Sequence, residues 1–205
     1  MTEQQQSGTK PSGKKFAVFG ATGPTGVEIV KQGVEQGHSI TAFVRNPEKL
    51  KDIKGVEIIK AQLRDEEEMK TAIRGKDGVL VAIGTHNYFS MDRTCSNSTK
   101  AIIAAMKETG VKRIVVLSSY GAGPGNRALL SWFPRSLLGY ILDDKDKQEE
   151  IIMKSGLDYT IVRPPRLLNK PAKGNIFVTT ALSFKLPVME ISRADVAAFM
   201  LESAT

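Results

Sequence analysis

Residues 14–26 of the chain, Lys-Lys-Phe-Ala-Val-Phe-Gly-Ala-Thr-Gly-Pro-Thr-Gly, decide the fold class. The apolar run predicts a strand that ends at Gly20, and Pro24 opens a stretch with helical periodicity, so a glycine-rich turn joins a strand to a helix. Gly20 allows a tight turn, Gly23 lets the backbone approach a pyrophosphate, and Gly26 lets the helix pack close to the sheet. Glycines that serve only the turn are the alternative. We predict a dinucleotide site at the helix N-terminus, with contacts from Gly20, Thr22, Gly23, Pro24, Thr25 and Gly26.

The rest of the chain continues the alternation of strand and helix. We predict six strands, at residues 14–20, 39–45, 56–63, 77–84, 112–119 and 158–165. Predicted helices separate them, at residues 24–36, 47–52, 66–74, 92–109 and 143–154, and a last helix covers residues 194–203. With right-handed crossovers, this order predicts an α/β fold, a Rossmann-like doubly wound parallel sheet with helices on both faces. Residues 1–13 are polar and predict a disordered tail, which leaves residues 14–205 as a single NAD(P)-binding domain that includes the substrate pocket.

The composition excludes several classes of protein. Of the 205 residues, 41% are hydrophobic, which suffices for a core, and no window holds the roughly 18 apolar residues of a membrane span. The chain opens without an apolar signal region, so we expect a cytoplasmic protein. A single cysteine, Cys95, rules out an internal disulfide, and with two histidines we expect no metal site. The net charge is +7, but the basic residues are mostly interleaved with acidic ones along the chain. We therefore expect a small-molecule substrate, no nucleic acid and no membrane.

The end of the second predicted strand selects the cofactor. An acid there binds the ribose 2′-hydroxyl of NAD, whereas an arginine accommodates the 2′-phosphate of NADP. Arg45 stands at this place, Lys49 follows closely, and the strand tip carries no acid. Arginine offers a two-pronged donor to phosphate and lysine adds a point charge. We therefore predict NADPH/NADP+ as the cofactor, with a plain surface arginine as the alternative.

Residues at the ends of the other strands supply the remaining predicted cofactor contacts. Ligands of such a sheet bind beyond the carboxyl ends of its strands. A pair of serines after the fifth strand would lie near the nicotinamide, although it could instead cap the next loop. A pair of prolines after the sixth strand would shape the nicotinamide pocket. The contacts predicted at these strand ends are Gln62, Leu63, Gly84, Thr85, Ser118, Pro164 and Pro165.

These motifs carry a family resemblance over residues 14–203. They read GATGPTG at 20–26, VRNPEKL at 44–50, VAIGTHN at 81–87, VVLSS at 115–119, KSGLDYTIVRPP at 154–165 and ISRADVAAFM at 191–200. Their order resembles that of atypical short-chain dehydrogenases, most closely the biliverdin-IXβ reductase/flavin reductase family. The resemblance implies a monomeric, NADPH-dependent reductase that transfers hydride to flavins (FMN, FAD, riboflavin) and to biliverdin-type linear tetrapyrroles.

The catalytic residues of ordinary short-chain dehydrogenases are only partly present. Those enzymes use a Tyr-x-x-x-Lys pair, and Lys145 stands at the lysine position. Ile141 occupies the tyrosine position, and Tyr140 is displaced by one residue, which turns a helical side chain by about 100°. Alcohol oxidation through this tyrosine is therefore not expected. The flavin reductase group also lacks the tyrosine, so its absence favours that group.

Catalytic and substrate contacts are predicted at four further positions. Ser119 is the candidate for orienting the nicotinamide or the substrate. Lys145, as a second catalytic candidate, and Arg166 would bind a flavin phosphate or tetrapyrrole propionates, or else lie on the surface. Residues 128–142 are unusually apolar for a connection, and we expect either a lid in which Trp132 stacks on the ligand or a small helix that completes the core.

Three functions are compatible with these residues. The first is an NADPH-dependent flavin and biliverdin reductase. The second is an NmrA-like regulator that binds NADP(H) without turnover and signals its redox state to a partner protein. The third is another atypical dehydrogenase that reduces a small metabolite. No Gly-x-Ser-x-Gly motif accompanies the serine pair, so we do not expect a hydrolase.

Overall fold

The structure is a computed structural model that describes residues 13–84, 93–123, 139–180 and 190–205. Eight strands are described: β1 (Lys15–Phe19), β2 (Ser39–Val44), β3 (Val56–Lys60), β4 (Gly78–Val81), β5 (Arg113–Leu117), β6 (Asp158–Val162), β7 (Arg166–Leu168) and β8 (Glu190–Ser192). The α-helices are α1 (Pro24–Glu35), α2 (Glu66–Ile73), α3 (Thr94–Thr109), α4 (Gly139–Met153) and α5 (Arg193–Ala204). A single turn of 3₁₀ helix covers Pro47–Leu50.

Six of these strands form one parallel sheet. Their order across the sheet is β3-β2-β1-β4-β5-β6, so the chain moves outward from β1 to one edge and then crosses back to build the other half. This order confirms the predicted Rossmann-like, doubly wound sheet. The strand order reverses between β1 and β4, and their carboxyl ends border the crevice in which such sheets bind ligands.

The central strands β1, β2, β4 and β5 are buried on both faces, because their side chains point alternately into two apolar clusters. In β1, Phe16 and Val18 pack with residues of α1 and α5, whereas Ala17 and Phe19 pack with residues of α2 and α3. All four side chains are fully buried. Two covered faces are expected of a parallel sheet, and they hold the strand ends in a fixed register beneath the site.

Local sequence signals mark several helix ends. The side chain of Asn46 accepts a hydrogen bond from the amide of Glu48 (3.1 Å), so it caps the 3₁₀ turn. Ser192 caps α5 by accepting from the amide of Asp195 (2.9 Å). Gly110 ends α3 with φ +77°, in the left-handed region that glycine adopts most easily.

The fold differs from the prediction in two places. Strands β7 and β8 form a second, two-stranded parallel sheet that the sequence pattern did not predict, because each has only three residues. Helix α4 begins at Gly139 and not at residue 143, so its first turn takes the last four residues of the predicted lid segment. Residues 128–138, with Trp132, lie outside the described residues, as do Thr85 and the predicted tail up to residue 12. In the described parts of the chain, no helix is long and apolar enough to cross a membrane.

The packing of the sheet leads to a stability prediction. Ile114 in β5 is fully buried, whereas Ile58 in edge strand β3 is 37% exposed. Ile114→Ala should lower the free energy of unfolding by about 2–5 kcal/mol, because it removes buried methyl groups and leaves a cavity. Ile58→Ala is the matched control and should cost about 0.5 kcal/mol or less. Denaturant unfolding of both variants measures the two losses in free energy of unfolding. Equal losses would contradict the assignment of Ile114 to the core and of Ile58 to the exposed edge.

Candidate cofactor and substrate site

The glycine-rich turn between β1 and α1 brings three backbone segments into contact. Gly20 has φ +78°, and a Cβ there would come within 2.7 Å of the carbonyl group of Ala82 after β4. A Cβ at Gly26 would overlap the carbonyl oxygen of Gly20. The amide of Gly23 donates to the same oxygen at 3.0 Å and closes the turn. The glycine pattern therefore reflects steric need at Gly20 and Gly26, as the prediction required.

The first turn of α1 offers its amides to a ligand. The residue at the N-cap position is Gly23, no side chain among the described residues accepts from the amides of this turn, and the first turn carries no acid. Pro24 occupies the first helical position, where its lack of an amide costs nothing. Such a helix N-terminus attracts anions through its dipole and its unpaired N–H groups. The cradle therefore fits the diphosphate of a dinucleotide. Thr22 is half-buried and Thr25 is buried beside it.

The carboxyl ends of β2 and β3 form the predicted adenosine end of the site. Arg45 and Lys49 are exposed, and neither forms an ion pair with the described residues. Their cations are therefore available to a phosphate. The backbone amide of Gln62 donates to the carboxylate of Asp65 (2.7 Å), which shapes the turn after β3, and Leu63 is half-buried there.

The ends of β4, β5 and β6 form the predicted nicotinamide end. Gly84 is exposed, and a Cβ placed on it would meet no atom of the described residues within 4 Å, so within this part of the chain its backbone is open to a ligand. The amide of Tyr120 donates to the carbonyl of Pro164 (2.9 Å), which ties the loop after β5 to the proline pair after β6. Pro165 is half-buried, as is Ser119, whose hydroxyl lies 3.4 Å from the carbonyl oxygen of Tyr120.

A buried network of charges lies beneath the nicotinamide end. Glu149 of α4 is fully buried and accepts a hydrogen bond from the hydroxyl of Ser118 at 2.5 Å. Its carboxylate also pairs with the guanidinium of Arg163, at 2.9 and 3.1 Å from Nε and 2.6 Å from Nη2. The hydroxyl of Ser118 is thus used inside the protein. Its predicted contact with the cofactor stays a prediction. The hydroxyl proton already bonds to Glu149, so the side chain has no further donor for the cofactor in this arrangement.

Lys145 lies inside the protein between two strand ends. Its ammonium donates to the carbonyls of Leu117 (2.8 Å) and Ile83 (3.2 Å) and to the side chain of Gln148 (2.9 Å). Only 6% of the residue is exposed, which excludes the alternative that Lys145 is a surface residue. Its predicted catalytic role stays a prediction, and its three protons all have acceptors. Arg166 is exposed at the start of β7 and is not among the residues that line the cavity described below.

Helix α4 buries further polar side chains that the sequence analysis missed. The carboxylate of Asp144 accepts from the amides of Cys95 (2.9 Å) and Ser96 (3.0 Å) and so caps α3. Gln148 donates to the hydroxyl of Thr99 at 2.8 Å. Burial raises the pKa of the Cys95 thiol, so this cysteine is poorly suited to act as a nucleophile. These side chains form a polar stripe along α4, at Asp144, Lys145, Gln148 and Glu149. A stripe with this spacing is typical of a solvent-exposed helix face, and only the tertiary contacts show that it is buried.

A cavity of about 500 Å³ opens beside β6 and the proline pair. Its volume is within the roughly 300–1,000 Å³ typical of small-molecule sites. The lining combines the aromatic side chains of Tyr120, Phe177 and Phe199 with Pro164 and Pro165. Its charged lining residues are Arg163, Lys170, Lys173, Glu190 and Asp195. The sequence analysis missed this cavity, because its walls come from segments that are far apart along the chain.

Asp195 fixes one wall of the cavity. Its carboxylate accepts from the hydroxyl of Ser192 (2.7 Å) and from the amides of Lys173 and Gly174 (each 2.9 Å). Burial alone raises the pKa of this carboxyl, but these hydrogen bonds stabilise the ionised form more strongly, so its pKa is lowered below the ordinary 3.8. The ionised carboxylate thus anchors the segment at residues 173–174 to α5.

The chain belongs to the NAD(P)H-binding family, whose model matches residues 20–205. It is 33% identical over 175 residues to an uncharacterised chloroplastic protein of Arabidopsis thaliana, covering 80% of this chain and 62% of that protein. It is also 31% identical over 197 residues to an uncharacterised sugar epimerase of Bacillus subtilis (strain 168), covering 92% of this chain and 87% of that one. The chain spans less than two thirds of the length of the Arabidopsis relative.

Solved structures share the fold. A candidate NADH-flavin reductase of Streptococcus pneumoniae TIGR4 is 25% identical, with a TM-score of 0.74, covering 93% of this chain and 92% of that one. An anaerobilin reductase of Escherichia coli O157:H7 is 22% identical, with a TM-score of 0.76 over 93% and 90% of the two chains. The family match assigns the chain to the NAD(P)H-binding proteins, the solved structures show the shared fold, and none of these findings is specific to biliverdin-IXβ reductase.

The glycine contact leads to a binding prediction. Gly26→Ala should weaken NADP(H) binding at least about tenfold, because its methyl group must push α1 away from the turn that faces the phosphates. Gly78→Ala is the matched control, since a Cβ there makes only ordinary contacts of 3.4 Å or more. Calorimetric titration with NADP+ measures both. Wild-type affinity in folded Gly26→Ala would contradict the assigned cradle.

The contacts of Asp195 lead to a pH prediction. Because its pKa is lowered in the folded state, its contribution to stability is complete above the ordinary carboxyl value of 3.8 and is lost as the pH falls through the lowered folded value. The difference in free energy of unfolding between the wild type and Asp195→Asn should therefore be constant near neutral pH and shrink in acid. Denaturant unfolding across this pH range measures it. A difference that does not change with pH would show that the carboxylate charge contributes nothing.

Proposed function

We propose that the protein is an NADPH-dependent reductase whose acceptor is a planar molecule, a flavin or a biliverdin-type linear tetrapyrrole. The observation that carries this proposal is the position of the cavity. Its lining includes Tyr120, Pro164 and Pro165, which lie at the carboxyl ends of β5 and β6, where the nicotinamide of a cofactor held by the α1 cradle is expected. A planar acceptor in this cavity would meet the reducing end of the cofactor.

Each part of the site would bind a different part of the cofactor or the acceptor. When bound, NADPH would supply a hydride from its nicotinamide ring. The first turn of α1 would bind the diphosphate, and Arg45 with Lys49 would bind the 2′-phosphate. Ser119 would orient the nicotinamide or the substrate. The aromatic and proline side chains of the cavity would hold the acceptor flat and exclude water from the reacting atoms.

The chemistry demands little acid catalysis from the protein. A reduced flavin can take its proton from solvent, so the reaction does not need the tyrosine that the sequence lacks. Lys145 would act by position, because its ammonium holds the ends of β4 and β5 together through Ile83 and Leu117. The structural neighbour from Streptococcus pneumoniae is a candidate NADH-flavin reductase, which supports flavin as acceptor, whereas Arg45 favours NADPH over NADH.

An NmrA-like sensor without turnover is the second candidate. The internal contacts of Lys145 favour it, because of the two predicted catalytic residues, Ser119 and Lys145, they leave only Ser119 with a side chain that is not held inside the protein. A related protein of Synechocystis, a photosystem II assembly factor that is 26% identical over 153 residues, has an assembly role by its name. The expectations of a monomer, of a cytoplasmic location and of no nucleic-acid or membrane partner stay predictions.

The two candidates are separated by turnover. The purified chain is mixed with NADPH and either FMN or biliverdin, and the loss of NADPH absorbance is followed, with NADH as the control cofactor. The proposal expects steady oxidation of NADPH that depends on the acceptor. Tight NADPH binding without oxidation by either acceptor would overturn the reductase and leave the sensor.

Arg45 leads to a prediction about cofactor choice. Arg45→Ala should raise the KM for NADPH about tenfold and change the KM for NADH little, because only NADPH carries the phosphate that the guanidinium would bind. Arg74→Ala is the matched control, an exposed arginine that follows α2 and precedes the amino end of β4. Steady-state kinetics with both cofactors test this. Equal changes in the two KM values would remove Arg45 from the cofactor site.

A further inference from the structure

Arg163 is a charged residue of the cavity whose position is fixed by a fully buried partner. Its Nε and Nη2 atoms are used by Glu149, which is fully buried and also held by Ser118. A Cβ at Gly123 would lie 2.8 Å from Nη2 and 2.5 Å from a carboxylate oxygen of Glu149, so glycine is needed for this close packing. Two prongs of the guanidinium are therefore locked by the protein interior.

The remaining part of the guanidinium is open to a ligand. The Nη1 atom of Arg163 makes no hydrogen bond to any residue that the structure describes. Arg163 lines the cavity, and 32% of its side chain is exposed. An arginine held by a carboxylate through two of its nitrogens loses little further entropy when the third binds an anion. A guanidinium that is fixed in this way and partly exposed is suited to donate from Nη1 to an oxygen of a phosphate or a carboxylate.

Among the other charged groups of the cavity, only the cation of Lys173 is available to an anionic ligand without first breaking an ion pair with a described residue. Lys170 and Glu190 face each other, with Nζ 3.6 Å from the carboxylate oxygen. Asp195 is engaged by a hydroxyl and two backbone amides. Lys173 is exposed, lines the cavity and forms no ion pair with the described residues, although its charge acts on Asp195. Arg163 and Lys173 are thus the cations that the protein leaves partly unused.

We propose that Arg163, with Lys173, binds an anionic group of the substrate, so that the cavity selects planar ligands that carry a phosphate or a carboxylate. The inference rests on the proposed function for the identity of the planar ligand. Of the two cations predicted from the sequence to bind such an anion, Lys145 and Arg166, it replaces Arg166 by Arg163, which lies three residues earlier and borders the cavity. Arg163 is in this account a specificity-determining residue, and Glu149 is the residue that positions it.

Two pairs of probes that differ only in the anion test the proposal. FMN and riboflavin differ in a phosphate, and biliverdin and its dimethyl ester differ in carboxylates, so the pairs also distinguish the two kinds of anion. Binding of each probe to the wild type in the presence of NADP+ is measured by optical titration. We expect the charged member of at least one pair to bind about tenfold more tightly, the gain typical of a hydrogen bond to a charged group. Equal affinities within both pairs would overturn the proposal.

Variants assign the preference to particular residues. Arg163→Lys keeps a cation beside Glu149 but removes the third nitrogen, and it should cut the preference for the charged probe to about twofold or less, with the uncharged probe and NADP+ bound as before. Arg113→Lys is the matched control, because Arg113 pairs with Asp158 at the opposite end of β5 and β6, at 3.1 Å. A full preference in Arg163→Lys, or an equal loss for both members of a pair, would reduce Arg163 to a structural role and overturn the proposal.

A second variant keeps the proposal testable if Arg163→Lys does not fold. Lys173→Met changes an exposed side chain and should lower the preference about threefold or more, in the range of a partly exposed charge; an unchanged preference contradicts the proposal. Binding and turnover are measured separately. A preference that depends on Arg163, without oxidation of NADPH, would support the anion site and reject the reductase. Turnover without any preference would do the reverse.

Discussion

The contact between the first turn of α1 and the end of β1 is the constraint on which the rest of the site depends. Position 26 has no room for a side chain, because a Cβ there would overlap the carbonyl oxygen of Gly20. Gly20 in turn lies against the backbone after β4. Because these segments touch, the N-terminus of α1 lies directly at the reversal of strand order between β1 and β4. An anion-binding helix end and the ligand crevice of the sheet therefore coincide.

The second half of the site depends on buried charges in α4. Burying an ion is costly unless hydrogen bonds or an opposite charge stabilise it, and each ionic side chain of the α4 stripe has partners of one or both kinds. Asp144 binds the amides at the start of α3, Lys145 binds carbonyls at the ends of β4 and β5, and Glu149 joins Ser118 to Arg163. Through these contacts one helix holds the three strand ends that face the nicotinamide side. The polar groups are thus a framework for the site, whether or not any of them touches a ligand.

The fold could be predicted from the sequence because its determinants are local. Apolar runs, glycine stops and the caps at Asn46 and Ser192 each act within a few residues, and all are found in the structure. The substrate side could not be predicted in this way. The cavity is built from β6, the segment after β7, β8 and α5, and the buried stripe of α4 resembles a solvated surface in its polarity. Lys145 and Arg166 illustrate the limit, since sequence spacing identifies a cation but does not show whether it is buried or borders the cavity.

The central claim is that a dinucleotide binds across the carboxyl ends of the strands, from the α1 cradle to the ends of β5 and β6. The most direct measurement is a titration of the isotopically labelled chain with NADP+, followed through its backbone amide resonances. We expect the largest shifts at residues 22–27, at Arg45 and its neighbours, and at Gly84 and Ser119. Shifts confined to other parts of the chain, with the amides of the glycine-rich turn unchanged, would contradict it.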